Sequence, residues 1–326
     1  CVGGEIEASK WYRATYDGAA FQLERLAPAA LLEMFTTKGD TLIATADQKI
    51  ARKAAPAAGS LRTGDTVASD GVRDIAPLRG LISGLTYANN AGDATNDIDI
   101  AAGAAIDATN VYWMALAASI TKQSDVAWAV GTNQGGLDTG AVGNNDYYIW
   151  MIARSDTGVV DVLFSLSSTA PTMPTGYDFK RLIGWFKRVG GTIVAFHTYE
   201  TDGGGLEMNW DVPTLDINLA NTLTTARRTD AVKVPLNFSV LAHLNVIVFD
   251  ATTAPRAWIC CPDQTDAAPS GTLAPLQNVP STSTTQSGGS QLNIRTSAAG
   301  LIAARADLAT VDSYFVSTMG FSWSRR

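Results

Sequence analysis

Short β-branched and aromatic runs, cut apart by Gly, Asn, Asp and Pro, recur through this chain and confine it to short extended elements. Tyr147-Tyr148-Ile149-Trp150-Met151-Ile152, Val159-Val160-Asp161-Val162-Leu163-Phe164 and Thr192-Ile193-Val194-Ala195-Phe196 are such runs. Their side chains fit a pleated, half-buried surface. Asp97-Ile98-Asp99-Ile100 alternates with period two, which places both isoleucines on one face and both carboxylates on the other. Asp156-Thr157-Gly158 and Val189-Gly190-Gly191 supply hairpin turns, and together these features suggest a meander forming one sheet of a sandwich.

The same reading divides the chain. Trp11–Tyr16 and Phe21–Leu26 flank Asp17-Gly18, so a β-hairpin is expected over 11–26, followed by a connector with one or two helical turns after Pro28. Over residues 36–78, short runs such as Thr41-Leu42-Ile43-Ala44-Thr45 alternate with turns and are too small to build a core. Asp202-Gly203-Gly204-Gly205 marks the best internal boundary. Beyond it, Lys233–Leu236, Phe238–Leu241, Leu244–Phe249, Arg256–Ile259, Gln291–Arg295 and Tyr314–Val316 read as strands, and 271–290 as a long polar loop. The expectation is an all-β fold: an N-terminal hairpin and connector (1–34), an extended shaft element (35–79) and two β-sandwich, jelly-roll-like domains (80–203 and 204–326). Cys1 stands where a methionine would begin a complete chain, so an upstream segment is expected.

Composition excludes several function classes. Charged residues make up 17% of the 326, against roughly 25% in an average soluble domain, and the net charge is -7. Such a chain has no uniformly basic surface for phosphate backbones, so no nucleic-acid partner is expected. The Ala-rich stretch 101–120 is broken by Asp107, Thr109 and Asn110, short of the about 18 apolar residues a spanning helix needs, and no membrane insertion is expected. Cys1, Cys260 and Cys261 are too few for a disulfide framework and lack zinc-knuckle spacing. They are either reduced thiols or, in an extracellular particle, Cys1 of one copy bonded to Cys260 or Cys261 of a neighbour.

No catalytic constellation emerges. The chain has no G-x-S-x-G elbow, no P-loop and only two histidines, His197 and His243, both inside strand-like runs and without a visible partner. Asp97 and Asp99, two residues apart on a strand, sit about 6.6–6.8 Å apart, near the separation of an inverting glycosidase pair. Any D-x-D strand gives that spacing, and a solvated face is the expectation. Gly135-Gly136-Leu137-Asp138 matches half of one calcium-binding nonapeptide, and without a repeat it reads as a turn. Trp113, Trp150 and Trp185 are read as core residues before sugar-stacking ones. No enzyme activity, cofactor or metal is expected.

One resemblance adds to this reading. Thr36-Thr37-Lys38-Gly39-Asp40, continuing through Leu42–Ala46 and Ile50-Ala51-Arg52 to Gly64–Asp70, resembles an element of tail-fibre and minor structural proteins of tailed bacteriophages. Thr41 is an insertion relative to that pattern. The stretches Gly84–Thr86, Asp97–Gly103, Trp128–Thr132, Gly135–Gly140, Ala170–Tyr177 and Lys180–Gly184 are similar to a phage tail module in the same order, and Gln291–Thr296 to a module that follows it. The resemblance implies a non-enzymatic virion protein, an elongated homotrimer that contacts other virion proteins and host surface polysaccharide. Its alternatives are a capsule depolymerase and a structural spacer or collar component. Cys260-Cys261 departs from the small polar residues common there, which adds weight to the inter-chain disulfide.

Overall fold

The computed structural model describes residues 11–16, 21–26, 40–44, 50–55, 60–65, 67–68, 71–75, 79–270 and 289–325. The chain is all-β; among the described residues the helical segment is one 3-10 turn, Asp202–Gly204, and no helix is long and apolar enough to cross a membrane. Two compact units divide it, Cys1–Pro77 and Leu78–Arg326.

The first unit holds three two-stranded antiparallel sheets: β1 (Trp11–Tyr16) with β2 (Phe21–Leu26), β3 (Thr41–Ala44) with β4 (Ile50–Lys53), and β5 (Leu61–Gly64) with β6 (Val72–Ile75). The hairpin and the short strands thus form where the alternation puts them. Arg62 joins the last two pairs, donating to Asp74 at 2.7 Å and to Thr41 Oγ1 at 2.7 Å. The helical turns expected after Pro28 and the thiol of Cys1 lie outside the described residues.

The second unit runs β7 (Ile82–Gly84), β8 (Tyr87–Asn89), β9 (Asp97–Ile100), β10 (Gly103–Ile106), β11 (Trp113–Leu116), β12 (Ile120–Ala127), β13 (Gln134–Leu137), β14 (Asp146–Ala153), β15 (Val160–Ser165), β16 (Phe179–Val189), β17 (Thr192–Ile193) and β18 (Phe196–Thr201). It continues with β19 (Gly205–Leu223), β20 (Arg228–Ala231), β21 (Leu241–Phe249), β22 (Ala257–Cys260), β23 (Gly289–Arg295), β24 (Leu301–Ala306) and β25 (Val311–Trp323). An eight-stranded sheet, β17-β16-β14-β15-β13-β12-β9-β8, is covered by β11-β10-β7, whose β11 packs on β14 and β15. A five-stranded sheet, β18-β19-β25-β21-β23, is covered by β20-β24-β22.

Three expectations are corrected here. The eight-stranded sheet is no meander: β13 pairs in parallel with both β12 and β15, which also sets it apart from an antiparallel jelly roll. Gly135-Gly136, expected in a turn, belongs to β13. A Cβ on Gly136 would stand 2.8 Å from the Phe164 ring, and one on Gly135 2.0 Å from Ala127 O, so the glycines permit the close approach of the parallel strand. Asp202–Gly205 is not a domain boundary but the turn of a hairpin, because β18 and β19 pair from Phe196↔Trp210 to Thr201↔Gly205.

Packing explains why the expected domains 80–203 and 204–326 are one compact unit. Trp185, fully buried on β16, meets Trp210 of β19 and Phe321 of β25 edge to face, each at 5.8 Å between ring centroids. Tyr148 Oη donates to Leu236 O at 2.9 Å and accepts from Asn237 Nδ2 at 3.1 Å. Inside the eight-stranded sheet, the buried Lys122 ammonium donates to Asp161 (3.1 Å), Ala129 O (2.6 Å) and Gly131 O (3.2 Å), which satisfies all three of its protons.

The strongest tie is Arg325, 1% exposed. Its guanidinium donates to Gly204 O (2.8 Å), Leu85 O (3.2 Å), Gly84 O (3.1 Å) and Gly205 O (3.4 Å), and its own carbonyl accepts from Arg181 Nη2 (2.6 Å). Replacing it with Ala strands these carbonyls and opens a void; chemical unfolding of Arg325→Ala is expected to show a loss of about 3 kcal/mol or more. Arg325→Lys, without the planar fork, recovers less than half of that loss.

Candidate ligand-binding groove

Strand alternation on the five-stranded sheet sends one set of side chains inward and the other to the open face. On β21, Ala242, Leu244, Val246 and Val248 are buried, while Leu241, His243 and Asn245 are half-buried on the opposite face. On β23, Leu292 and Ile294 are buried, while Gln291, Asn293 and Arg295 are exposed. Registers align these open-face residues into two rows across all five strands. The first is Tyr199, Glu207, Ser322, Leu241 and Arg295; the second is His197, Asn209, Gly320, His243 and Asn293. A bulge on β25 sets the rows: His243 pairs with Gly320 but Leu244 with Thr318, so Met319 is the extra residue.

Two adjoining hollows lie along these rows. One, about 470 Å³, is lined by Glu207, His243, Gln291, Asn293 and Met319. The other, about 390 Å³, is lined by Asp202, Ser239, Arg295, Trp323 and Ser324. Leu241 and Ser322 belong to both. A third hollow, about 670 Å³, continues past Thr201, Asp202 and Gly203 to Arg79 and Glu200. Amides, hydroxyls, carboxylates and a guanidinium converge on a shallow strip; Tyr199 stands exposed at its β18 end, and Trp323, stacked on Phe238 at 4.7 Å, walls one hollow. This donor and acceptor set matches vicinal hydroxyls of a sugar chain.

The structure gives both histidines partners that the sequence left invisible. His243 Nε2 lies 2.9 Å from Ser322 Oγ, and His197 Nε2 lies 3.2 Å from Asp211 Oδ1. Glu207, opposite Ser322, accepts from Asn209 Nδ2 at 2.9 Å, and no hydrogen bond among the described residues orients the other ring nitrogen of His243. The arrangement is a pair, without the third group that a nucleophile triad needs. Sequence reasoning missed Ser322, Glu207, Asn293 and Gln291; the alternation of Gln291-Leu292-Asn293-Ile294-Arg295 was the available signal.

Other sequence candidates lie elsewhere. Asp97 and Asp99 share the open face of β9, as the alternation requires, with Ile98 and Ile100 buried. Asp99 Oδ1 accepts from Asn90 Nδ2 (2.8 Å) and Thr121 Oγ1 (2.6 Å), a structural use. Asp97 is pushed up to about 6, first by burial and then by Asp93, Asp125 and Asp99. Trp150 and Trp185 are buried as expected, whereas Trp113 is 46% exposed on β11. Asp138 Oδ2 accepts from Thr172 N at 2.8 Å, pinning a loop. Among the described residues no group of three His, Cys, Asp or Glu side chains could hold a metal ion.

Cys260 and Cys261 are free thiols with opposite surroundings. Cys260, 4% exposed, packs against Trp258 and Ala303. Burial pushes its thiol up, against a smaller opposing effect of Arg227. Cys261 is half-buried, with its Sγ 3.8 Å from Asp263 Oδ2. Of the two, Cys261 is the one that can reach a neighbouring chain.

Two measurements follow. In a Cys1→Ser background, maleimide labelling of the folded chain is expected at Cys261 and not at Cys260, which reacts only after unfolding; equal labelling would contradict the burial. Because the folded carboxyl of Asp97 lies above its unfolded value, it costs stability as pH rises through that interval and nothing below both values. Asp97→Asn is therefore expected to raise the melting temperature at pH 7.5, with the gain vanishing below about pH 4. No protein-family model and no curated protein matches this chain.

Proposed function

We propose that this chain is a structural protein of a bacteriophage virion, part of a tail fibre or related appendage, whose β-domains bind host surface glycans. The observation that carries the glycan reading is the pair of polar rows on the five-stranded sheet, with their adjoining hollows and hydroxyl-matching side chains. Its shallow form suits weak contacts repeated on several copies, where avidity replaces a deep pocket. The virion reading rests on the resemblance of residues 36–70 and of the modules after them. Support for a homotrimer comes from the first unit, whose two-stranded sheets are marginal alone and leave edges for neighbouring chains to cover.

The Ser322–His243 pair favours one rival, a hydrolase acting on the same glycans. A single experiment separates them: the full chain is passed over immobilised bacterial surface polysaccharides, and each eluate is assayed for reducing ends and released acetate. The adhesin reading predicts retention with the polysaccharide intact, and three chain masses by light scattering. Released products at catalytic turnover would establish the hydrolase, and no retention on any polysaccharide would overturn the glycan reading.

A further inference from the structure

Most arginines in the described residues have fixed employment. Arg52, Arg62, Arg73, Arg154, Arg228, Arg256 and Arg305 each pair with an aspartate. Arg181, Arg188, Arg227 and Arg325 donate to backbone carbonyls. Arg295 does neither. It is exposed at the end of the first polar row and makes no ion pair or hydrogen bond with any described residue, yet it lines the 390 Å³ hollow.

The same hollow holds further polar groups. Ser239 Oγ is a buried polar atom without a hydrogen-bond partner, and Ser239 is part of the lining. That oxygen is closed off from the hollow, so the groups open to a ligand are the others of the lining. Ser322 and Ser324 add two further hydroxyls, Trp323 an aromatic wall, and Asp202 a carboxylate. The volume lies within the range of small-molecule sites, about 300–1,000 Å³.

We infer that this hollow is the subsite for the anionic substituent of an acidic glycan, with Arg295 as the counter-charge and the exposed Ser324 as a hydroxyl donor to the same group. This deepens the glycan reading above and rests on it. A guanidinium fork meets a carboxylate or phosphate with two parallel hydrogen bonds, which an isolated ammonium cannot match. Asp202 repels an anion, so its place in the site is with the sugar hydroxyls, which a carboxylate accepts from. Arg79, also without an ion pair or hydrogen bond among the described residues, opens into the adjoining 670 Å³ hollow that shares Thr201, Asp202 and Gly203. An acidic chain running along the groove would therefore meet a second cationic group one hollow further on.

The test is titration calorimetry on the full chain at low salt with four probes: trigalacturonate, its methyl ester, maltotriose and a glycerol-phosphate trimer. Trigalacturonate or the glycerol-phosphate trimer is expected to bind at least about tenfold tighter than the two neutral sugars, and the tighter of the two assigns the substituent as carboxylate or phosphate. Arg295→Gln is expected to remove that preference, weakening the anionic probe at least about tenfold and maltotriose far less, with Arg295→Lys only partly restoring the preference. Ser324→Ala should weaken the anionic probe more than the neutral ones. Arg295 is exposed on an edge strand, and an unaltered melting temperature of the variant confirms that its fold is kept. Equal affinity for acidic and neutral probes, or an anion preference that survives Arg295→Gln, would overturn the inference while leaving the glycan reading in place. Binding of none of the four, or retention of neutral polysaccharides alone, would overturn the acidic subsite, and failure of the polysaccharide retention assay as well would overturn the glycan reading itself.

Discussion

A guanidinium taken out of water without a carboxylate must find its compensation in backbone dipoles, and Arg325 finds it in four carbonyls. Burial pushes its proton affinity down, and nearby Tyr87 and Glu200 oppose that shift. Two of the carbonyls belong to Gly84, the last residue of β7, and Leu85 after it, and two to Gly204, which ends the turn, and Gly205, which opens β19. The arginine thus fixes the Asp202–Gly204 turn against the end of β25. That turn supplies Asp202 to the groove, and β25 supplies Ser322 and Trp323. The contact that joins the two sandwiches therefore also sets the walls of the candidate site.

The groove depends on a second constraint, the bulge at Met319. Without an extra residue on β25, alternation would run straight through the strand and Thr318 and Ser322 would share a face. With it, Thr318 turns inward, where its hydroxyl meets Asp216, and Ser322 turns outward to His243. Gly320, between them, adds no side chain to the second row; a Cβ there would stand 2.0 Å from Met208 O. The open polar face and the dry inner face are two products of one register.

Much of this fold was legible in the sequence where period two is clean. β9, β14, β15 and β23 lie within a residue or two of their alternating or continuous apolar runs, whereas β21 starts three residues before Leu244 and residues 238–240, expected in a strand of their own, lie outside any strand. The 19-residue β19 was not, because Asp211, Pro213 and Asp216 interrupt its pattern and register shifts break its pairing with β25. Lys233-Val234-Pro235-Leu236 misled in the other direction. It has strand residues, but Val234 N bonds back to Val232 O at 2.9 Å, Pro235 has no amide proton to donate, and Asn237 turns at φ 67°. The glycine run at 202–205 carries the signal of a linker and that of a hairpin turn equally, and only the pairing of β18 with β19 decides between them. For the site, His243 was visible, yet its partner is 79 residues away, a separation that no local pattern encodes.

The central claim is that a sugar chain lies across the two polar rows of the five-stranded sheet. Hydrogen exchange on the full chain, with and without saturating trigalacturonate and maltotriose in parallel, tests it most directly. The account predicts slowed exchange confined to residues 199–209, 241–245, 291–295 and 318–324 with at least one of the two sugars. Protection centred instead on the exposed Trp113 edge of β11, or no protection at saturation with either sugar, would contradict it.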